Sequence, residues 1–209
     1  MGVQLHKASH LVWFVIILPG LSVLLAWCGS QIVSDVVPTD LLFLVDSVGI
    51  LGAFGLLYKG FDLWAWRWPM FRLVRIVEAP TVEVRWIGKL KSSRDGHTTD
   101  HDAALEIKQS FSRVKVAMYF ATSCSSSLVA GFVEEPNGTL ALHYEYQNVP
   151  AIDATATMHI HHGTAKLHCV PGQPRLEGEY YNWGRDDRGN VGKMDFQFEG
   201  KAVLHRLKT

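Results

Sequence analysis

The sequence predicts two N-terminal transmembrane α-helices followed by an all-β cytoplasmic domain, a compact eight-stranded antiparallel β-barrel. Two apolar runs of about 18 residues each fall within the first 60 residues, which suits helices that cross a bilayer. After Pro80 the apolar and polar residues alternate, which is typical of strands. The expected organisation is a transmembrane hairpin over 1–60, a Trp/Arg-rich linker over 61–80 and a β-barrel domain over 81–209.

The two apolar runs cover about 11–28 and 41–58. The first is long for a cleaved signal peptide, and the second follows so closely that a helical hairpin is the better interpretation. Lys7 precedes the first run and Lys59 follows the second, whereas the connecting loop 29–40 contains no Lys or Arg. Since cytoplasmic flanks carry the excess of Lys and Arg, both termini are expected in the cytoplasm.

The linker opens with the sequence LWAWRWPMFRLVR, in which three tryptophans alternate with other residues and arginines lie between them. Tryptophan collects at membrane–water interfaces, and arginine can reach anionic lipid phosphates. We interpret this stretch as a juxtamembrane collar that contacts the lipid bilayer. The alternative is a Trp-rich strand packed in the core of a soluble domain.

The second span carries a face of small residues with one carboxyl group. Asp46, Gly49 and Ala53 are spaced by three and four residues and therefore share one side of a helix. Small residues let helices approach closely, and a carboxyl group within a span usually faces protein or water. The hypothesis is self-association through this face. The alternative is that Asp46, near the outer end of the span, extends to the interface.

The soluble part reads as a succession of short strands separated by polar turns, without a convincing helix. This pattern indicates a sandwich or a barrel, and the barrel is preferred because sequential hairpins are the simplest connection. Asn137–Gly138 predicts a two-residue hairpin turn. An eight-stranded barrel is filled by side chains or holds one small ligand. The expected strands lie within 81–91, 102–110, 112–122, 125–135, 139–148, 158–170, 175–184 and 192–200.

No motif for catalysis is evident, since the sequence has no nucleophile elbow, P-loop, G-x-G-x-x-G or H-E-x-x-H. The HIH sequence is similar to the H-x-H of cupin metal sites, but no glutamate follows at 164–166. We therefore expect hydrogen-bonded strand histidines, no metal, no cofactor and no enzymatic activity. The histidines in question are His159, His161, His162 and His168.

Charge and cysteine content exclude further classes of protein. The formal net charge is zero, which gives no argument for binding a DNA or RNA polymer. The three cysteines, Cys28, Cys124 and Cys169, are odd in number and widely spaced. They predict neither a set of disulfides nor a zinc site.

Ligand binding is better supported than catalysis, because several polar and aromatic side chains cluster on strands. The sequence HYEYQN places two tyrosines and an asparagine on one strand face, and aromatic rings can stack on nucleotide bases. Arginine can hold a phosphate with two parallel hydrogen bonds. For each tyrosine the alternative is ordinary strand packing. The candidate ligand-binding residues are Trp86, Ser125, Tyr144, Tyr146, Asn148, Tyr180, Asn182 and Arg185, and Ser127 is a further possible phosphate donor.

The whole arrangement resembles a known family of bacterial defence proteins. Two spans, a Trp/Arg collar and a strand-rich domain containing SSSL, LHYEYQN, HHG and LEGEYYNWGRDDRGNVGKM are similar to the two-transmembrane β-barrel effectors of CBASS antiphage systems. These effectors are associated with cGAS/DncV-like nucleotidyltransferases. The resemblance covers nearly the whole chain and rests mainly on architecture.

The resemblance implies a cytoplasmic barrel that binds a cyclic dinucleotide made by a partner nucleotidyltransferase. Binding would promote homo-oligomerisation, and the spans would then disrupt the bacterial inner membrane and cause abortive infection. Because NWG separates the tyrosine-rich segment from Arg185, Arg188 is a rival for the phosphate contact. Two alternatives stay open: a membrane-tethered lipocalin-like barrel, for which the polar candidates would have to point outward, and a scaffold without a ligand.

Overall fold

The computed structural model describes residues 8–33, 37–154, 159–170, 172–183, 189–200 and 204–207. It separates into a helical unit, His6–Glu78, and a β unit that contains Ala79–Thr209. The predicted fold class is confirmed: two apolar helices precede a closed eight-stranded antiparallel barrel. The helical elements are α1 (Ala8–Val33), α2 (Thr39–Leu63), a 3₁₀ turn (Ala65–Arg67) and α3 (Pro69–Leu73).

Both long helices contain a stretch that could cross a membrane, Val15–Ile32 in α1 and Leu44–Leu63 in α2. Their apolar side chains are largely uncovered by protein: Leu51 is 73% exposed and Leu56 is 75% exposed. The core helix of a soluble domain would bury such residues, and large exposed apolar surfaces mark contact with protein or membrane. The two helices therefore agree with the two expected spans.

The small-residue face of α2 contacts α1 of the same chain. A Cβ atom added to Gly49 would lie 3.4 Å from the Cβ of Ala26, so glycine permits this close approach. Asp46 and Ala53 are half-buried, and Oδ1 of Asp46 has no hydrogen-bond partner among the described residues. At Gly49 the face thus serves the hairpin itself, and its use in self-association stays a prediction.

The Trp-rich stretch is helical rather than extended, since it forms the 3₁₀ turn and α3. It is therefore not the strand that the alternative interpretation required. Trp64 and Trp68 are exposed, while Trp66 is buried and carries the Arg67 guanidinium 4.9 Å from its ring centroid. Two of the three indoles are thus available to an interface, as the collar hypothesis needs.

All eight predicted strands are present, and their ends differ from the predicted ones by at most three residues. Each strand pairs with the next in sequence, and β1 pairs with β8 to close the barrel. The strands are β1 (Val84–Ser92), β2 (His101–Gln109), β3 (Val114–Tyr119), β4 (Ser123–Glu134), β5 (Leu140–Pro150), β6 (His161–Cys169), β7 (Arg175–Asn182) and β8 (Asn190–Gly200).

The turn between β4 and β5 differs from the predicted two-residue hairpin. Glu135 N donates to Thr139 O at 2.8 Å, so five residues form the connection. Within the connection 135–139, only Gly138 has a positive φ, of 80°. The side chain of Asn137 instead accepts hydrogen bonds from the backbone N and the hydroxyl of Thr139. This Asx turn competes with the left-handed conformation that a two-residue turn would need.

One end of the barrel, here called the floor, is packed with apolar side chains, and the opposite end is called the mouth. The floor carries the connections 110–113 and 135–139, and its core contains buried residues such as Trp86, Ile107 and Phe196. Nε1 of Trp86 donates to the carbonyl oxygen of Val82 at 3.1 Å. Because the floor is filled, the lumen formed by the described residues has space for a ligand toward the mouth.

A paired arginine on the outer surface gives a prediction about acid stability. Nε and Nη2 of Arg175 donate to the two carboxylate oxygens of Asp195 at 2.8 and 2.6 Å. These hydrogen bonds hold the pKa of Asp195 below its usual value. A lowered pKa contributes stability above the unfolded value near 3.9, and this contribution is lost as the pH falls through the folded value.

We expect Asp195→Asn to destabilise the barrel at pH 5, by about 1 kcal/mol or less because the pair is partly exposed. The difference from the unsubstituted protein should shrink at pH 3, where the native carboxyl also begins to protonate. Melting temperatures of both proteins at the two pH values test this. An equal difference at pH 5 and pH 3 would contradict it.

Candidate functional site

The mouth half of the lumen has a polar wall on three neighbouring strands. Ser125 on β4 lies opposite Asn148 on β5, and Asn148 lies opposite His161 on β6. Alternation along each strand points all three side chains inward, and all three line the cavity at the mouth. We call Ser125, Asn148 and His161 the polar row. A hydroxyl, an amide and an imidazole are thus presented side by side to the lumen.

Tyr146 lies flat against the next strand. It pairs with Gly163 on β6, and a Cβ atom added to that glycine would lie 2.6 Å from Cζ and Oη of Tyr146. The ring therefore occupies space that only glycine leaves free. Burial raises the pKa of Tyr146, the nearby Tyr180 raises it further, and a hydrogen bond with Asn182 opposes these effects. The phenol is thus anchored on β7 and turns one ring face to the lumen.

Tyr180 repeats this arrangement two strands further on. It pairs with Gly192 on β8, and a Cβ atom there would lie 2.1 Å from Cε1 of Tyr180. Burial raises the pKa of Tyr180, and a hydrogen bond with Ser92 on β1 opposes the shift. The rings of Tyr146 and Tyr180 therefore lie against the barrel wall, in the space that a glycine on the next strand leaves free. The centre of the lumen stays open near the mouth.

Tyr144 lies two residues before Tyr146 on the same face of β5, further from the mouth and closer to the floor. Its ring centroid is 6.0 Å from that of Tyr146, and the residue is only 4% exposed. Its hydroxyl group is buried and has no hydrogen-bond partner among the described residues. Burial strongly raises its pKa, so the phenol stays neutral. An unpaired buried hydroxyl costs about 1–3 kcal/mol, which a ligand acceptor could recover.

The cavity has a volume of about 2100 Å³ and extends beyond the lumen. Besides the inward-facing residues of the mouth, its lining includes Ile87, Lys89 and Gln197, which face outward on β1 and β8. The concave surface therefore runs from the lumen over the rim. Only the lumen part is bounded by the tyrosines and the polar row, and we take that part as the candidate site.

Charge is distributed unevenly around the mouth. The connection between β1 and β2 carries Asp95 and Asp100, which line the cavity and each contact a basic side chain. Nε2 of His101 lies 3.0 Å from Oδ2 of Asp95. Lys89 Nζ donates to Asp100 at 3.0 Å, and this hydrogen bond holds the pKa of Asp100 below its usual value. These paired carboxylates, and Arg94 beside them, lie on the β1–β2 side of the mouth, apart from the polar row on β4–β6.

The structure brings six of the eight predicted ligand-binding residues to this cavity: Ser125, Tyr144, Tyr146, Asn148, Tyr180 and Asn182. Trp86 instead lies in the apolar core at the floor. Arg185 and its rival Arg188 lie outside the described residues. Ser127 accepts a hydrogen bond from Val116 N at 2.9 Å.

The inward direction of the six residues bears on the lipid-carrier alternative. That hypothesis required the polar candidates to point outward and the lumen to be mostly apolar. In the structure they point inward, so the mouth half of the lumen is polar and aromatic. A small ligand with polar edges and flat rings suits such a lining better than an acyl chain.

Several residues at the site were missed by sequence reasoning. Asn190 pairs with Asn182 and lines the cavity, and its backbone N donates to Oδ1 of Asn182 at 3.2 Å. His161 was noted for a metal rather than for a ligand. Among the described residues, no group of three or more His, Cys, Asp or Glu side chains could hold a metal ion. Counting outward from Gly163 in steps of two would have placed His161 in the lumen.

Comparison with known families decides the assignment of the chain. Residues 77–197 match the family described as "Cap15, cyclic dinucleotide receptor domain", and this segment covers more than half of the chain. The chain belongs to this family. The Cap15 receptor-domain segment runs from just before β1 into β8 and contains the six predicted ligand-binding residues that line the cavity. The resemblance to CBASS effectors is thereby confirmed.

Two curated relatives support the same assignment. A protein named CD-NTase-associated protein 15 from Yersinia aleksiciae is 26% identical over 169 residues, which cover 76% of this chain and 73% of the relative. A protein of the same name from Staphylococcus schleiferi is 25% identical over 132 residues, covering 63% of this chain and 69% of the relative. In both cases most of the relative's length is represented here.

Proposed function

We propose that the mouth of the barrel binds a cyclic dinucleotide supplied by a partner nucleotidyltransferase, and that binding drives homo-oligomerisation and disruption of the bacterial inner membrane. The observation that carries the proposal is the polar and aromatic lumen. Six ligand-type side chains converge at the mouth, within the segment that matches a cyclic dinucleotide receptor domain.

The chemistry of the lumen suits the two kinds of group in a cyclic dinucleotide. The faces of Tyr146 and Tyr180 can each stack on a base, which is worth about 1–3 kcal/mol. Asn148 and Asn182 can each donate and accept, as the edges of nucleobases require. The hydroxyl of Ser125 can donate to a phosphate oxygen.

Coupling to oligomerisation follows from differential affinity. If the assembled protein binds the ligand more tightly than the monomer does, the ligand shifts the population toward the assembly by mass action. The apolar, exposed surfaces of α1 and α2 support a role in the bilayer. Lys7 and Lys59 flank the two spans, and under the positive-inside rule they support a cytoplasmic location for both termini. Assembly then gathers many spans in one patch of membrane.

The decisive experiment is calorimetric titration of the full chain in lipid nanodiscs against 3′,3′-linked cyclic dinucleotides of adenine, guanine and uracil. We expect submicromolar binding to one of them. Asn148→Ala should weaken it by about 5- to 100-fold, since a ligand edge loses its partner. Gln147→Ala, next to it on the outward face, is the matched control and should bind normally. Melting temperatures establish that both variants are folded.

The membrane step is tested with the same protein in dye-filled vesicles of phosphatidylethanolamine and phosphatidylglycerol. The binding dinucleotide should increase the sedimentation coefficient of the protein and release the dye, while the non-binding members of the panel do neither. Absence of binding to every member would overturn the proposal. Binding without oligomerisation or leakage would overturn its second half.

A further inference from the structure

His161 is a member of the polar row whose part in the site is not yet explained. On β4–β6, every residue of which the structure describes, it is the one inward-facing side chain that can become positively charged. Its neighbours in the row, Ser125 and Asn148, are each 4% exposed and uncharged. A cyclic dinucleotide carries two negative phosphates, so this wall offers its charge to the ligand only through His161.

The orientation of the His161 ring is fixed by a contact with the backbone. Nδ1 lies 3.0 Å from the carbonyl oxygen of His159. A carbonyl oxygen only accepts hydrogen bonds, so Nδ1 carries the proton and Nε2 is the remaining nitrogen. In the neutral ring Nε2 is an acceptor, which repels a phosphate oxygen. In the imidazolium ion it becomes a donor, which attracts one.

We infer that the polar row is the phosphate subsite of this receptor and that His161 takes up a proton when the ligand binds. The inference rests on the proposed function and adds to it a pH-dependent step. Ser125 and Asn148 donate neutral hydrogen bonds, and protonated His161 donates a charge-assisted one from Nε2. One proton enters the complex with each ligand that occupies the subsite.

Several titratable and charged side chains lie around His161. His159 and His162 flank it on its own segment, and Tyr146 on β5 and Tyr180 on β7 line the same cavity. Burial raises the pKa of both tyrosines, so they stay neutral across the physiological range. From the connection between β1 and β2, Arg94 and Asp95 line the same cavity, and Asp95 is paired with His101. Arg94 is a permanent cation on that side of the mouth, so on the β4–β6 wall the charge offered to a phosphate is that of His161.

Proton uptake makes affinity fall as the pH rises. Histidine is the side chain that ordinarily changes charge between pH 5 and 8. Where the free receptor has a neutral His161 and the complex a charged one, the dissociation constant rises by up to about tenfold for each pH unit. Where both states are charged, at lower pH, the constant levels off.

The test is calorimetric titration of the full chain in nanodiscs with the same dinucleotide panel, at pH 6, 7 and 8. Titrations at pH 7 in buffers of different ionisation enthalpy give the number of protons taken up. We expect up to about one proton per ligand and a dissociation constant that rises from pH 6 to pH 8. His161→Asn and His161→Gln keep an amide donor but cannot ionise. Both should bind more weakly at pH 6, take up almost no proton and lose the pH dependence.

His168→Asn is the matched control, because His168 lies on the outward face of the same strand, toward the floor. It should take up protons as the unsubstituted protein does. Unchanged proton uptake in both His161 variants would overturn the inference, and so would the absence of uptake in the unsubstituted protein. Failure of every dinucleotide to bind at any of the three pH values would instead overturn the proposed function, on which the inference rests.

Discussion

Replacing Arg85 by Met is expected to lower the free energy of unfolding of the barrel by about 3–5 kcal/mol. Arg85 points outward from β1 and is nevertheless only 1% exposed. Its Nη1 donates to Oε1 of Glu106 at 2.6 Å, and its Nε donates to Oε2 of Glu199 at 2.5 Å. Without the guanidinium, the buried carboxylate of Glu106 would lose its counter-ion and remain away from water.

The segment 204–207 covers this ion pair. The backbone N atoms of Leu204 and His205 donate to Oε1 of Glu106 at 2.8 and 3.0 Å. The hydroxyl of Tyr119 lies 3.2 Å from Nδ1 of His205 and holds the same segment over β3. A charge pair on the outer face of a barrel is thereby enclosed, which makes the loss of one partner far more costly than at an open surface.

Chemical denaturation of the detergent-solubilised protein, followed by tryptophan fluorescence, measures the effect. The double variant Arg85→Met/Glu106→Leu should recover much of the stability, because the fully buried carboxylate is then gone and the remaining partner, Glu199, is partly exposed to water. Arg113→Met, at an exposed position, is the control and should change the free energy of unfolding by less than about 0.5 kcal/mol. A loss below 1 kcal/mol for Arg85→Met would show that water reaches the pair.

Replacing Tyr144 by Phe is expected to separate stability from ligand affinity. The substitution removes a buried hydroxyl without a partner among the described residues, so the melting temperature of the free protein should stay the same or rise. If the hydroxyl donates to a base edge, the affinity for the cognate dinucleotide should fall by about 5- to 100-fold. A residue kept for packing alone would show no loss of affinity.

Calorimetric titration and thermal melting of the same preparations test this prediction. Tyr181→Phe is the matched control. Tyr181 is a tyrosine on β7 whose side chain faces outward and is exposed. Its affinity for the dinucleotide should be unchanged. A lower melting temperature for Tyr144→Phe, with unchanged affinity, would show that the hydroxyl serves the fold rather than the ligand.

Much of this architecture could be predicted from the sequence, because its signals are local. Alternation within each strand placed Tyr144, Tyr146 and Asn148 on one face, and apolar length located the helices. Register between strands is not a local property, since it depends on how far each strand is shifted on closing the barrel. The pairing of Asn148 with His161 across β5 and β6 therefore could not be predicted.

The buried ion pair was missed for a related reason. Arg85 and Glu106 occupy the alternate positions whose side chains point out of the barrel, and such residues usually face water. Their burial depends on residues 204–207, which are far away in sequence. The prediction that Trp86 binds the ligand was wrong. Its aromatic ring suited a nucleotide, but Trp86 lies toward the floor and belongs to the apolar core.

The glycines behind Tyr146 and Tyr180 restrict how this receptor can diversify. Any side chain at Gly163 or Gly192 would collide with a tyrosine ring and with a backbone carbonyl oxygen, that of Tyr181 or Lys91. Neither glycine can therefore be replaced as long as the two tyrosine rings keep their positions. New nucleotide preferences are expected at lumen positions away from these glycines, such as Ser125 on β4 and Asn148 on β5.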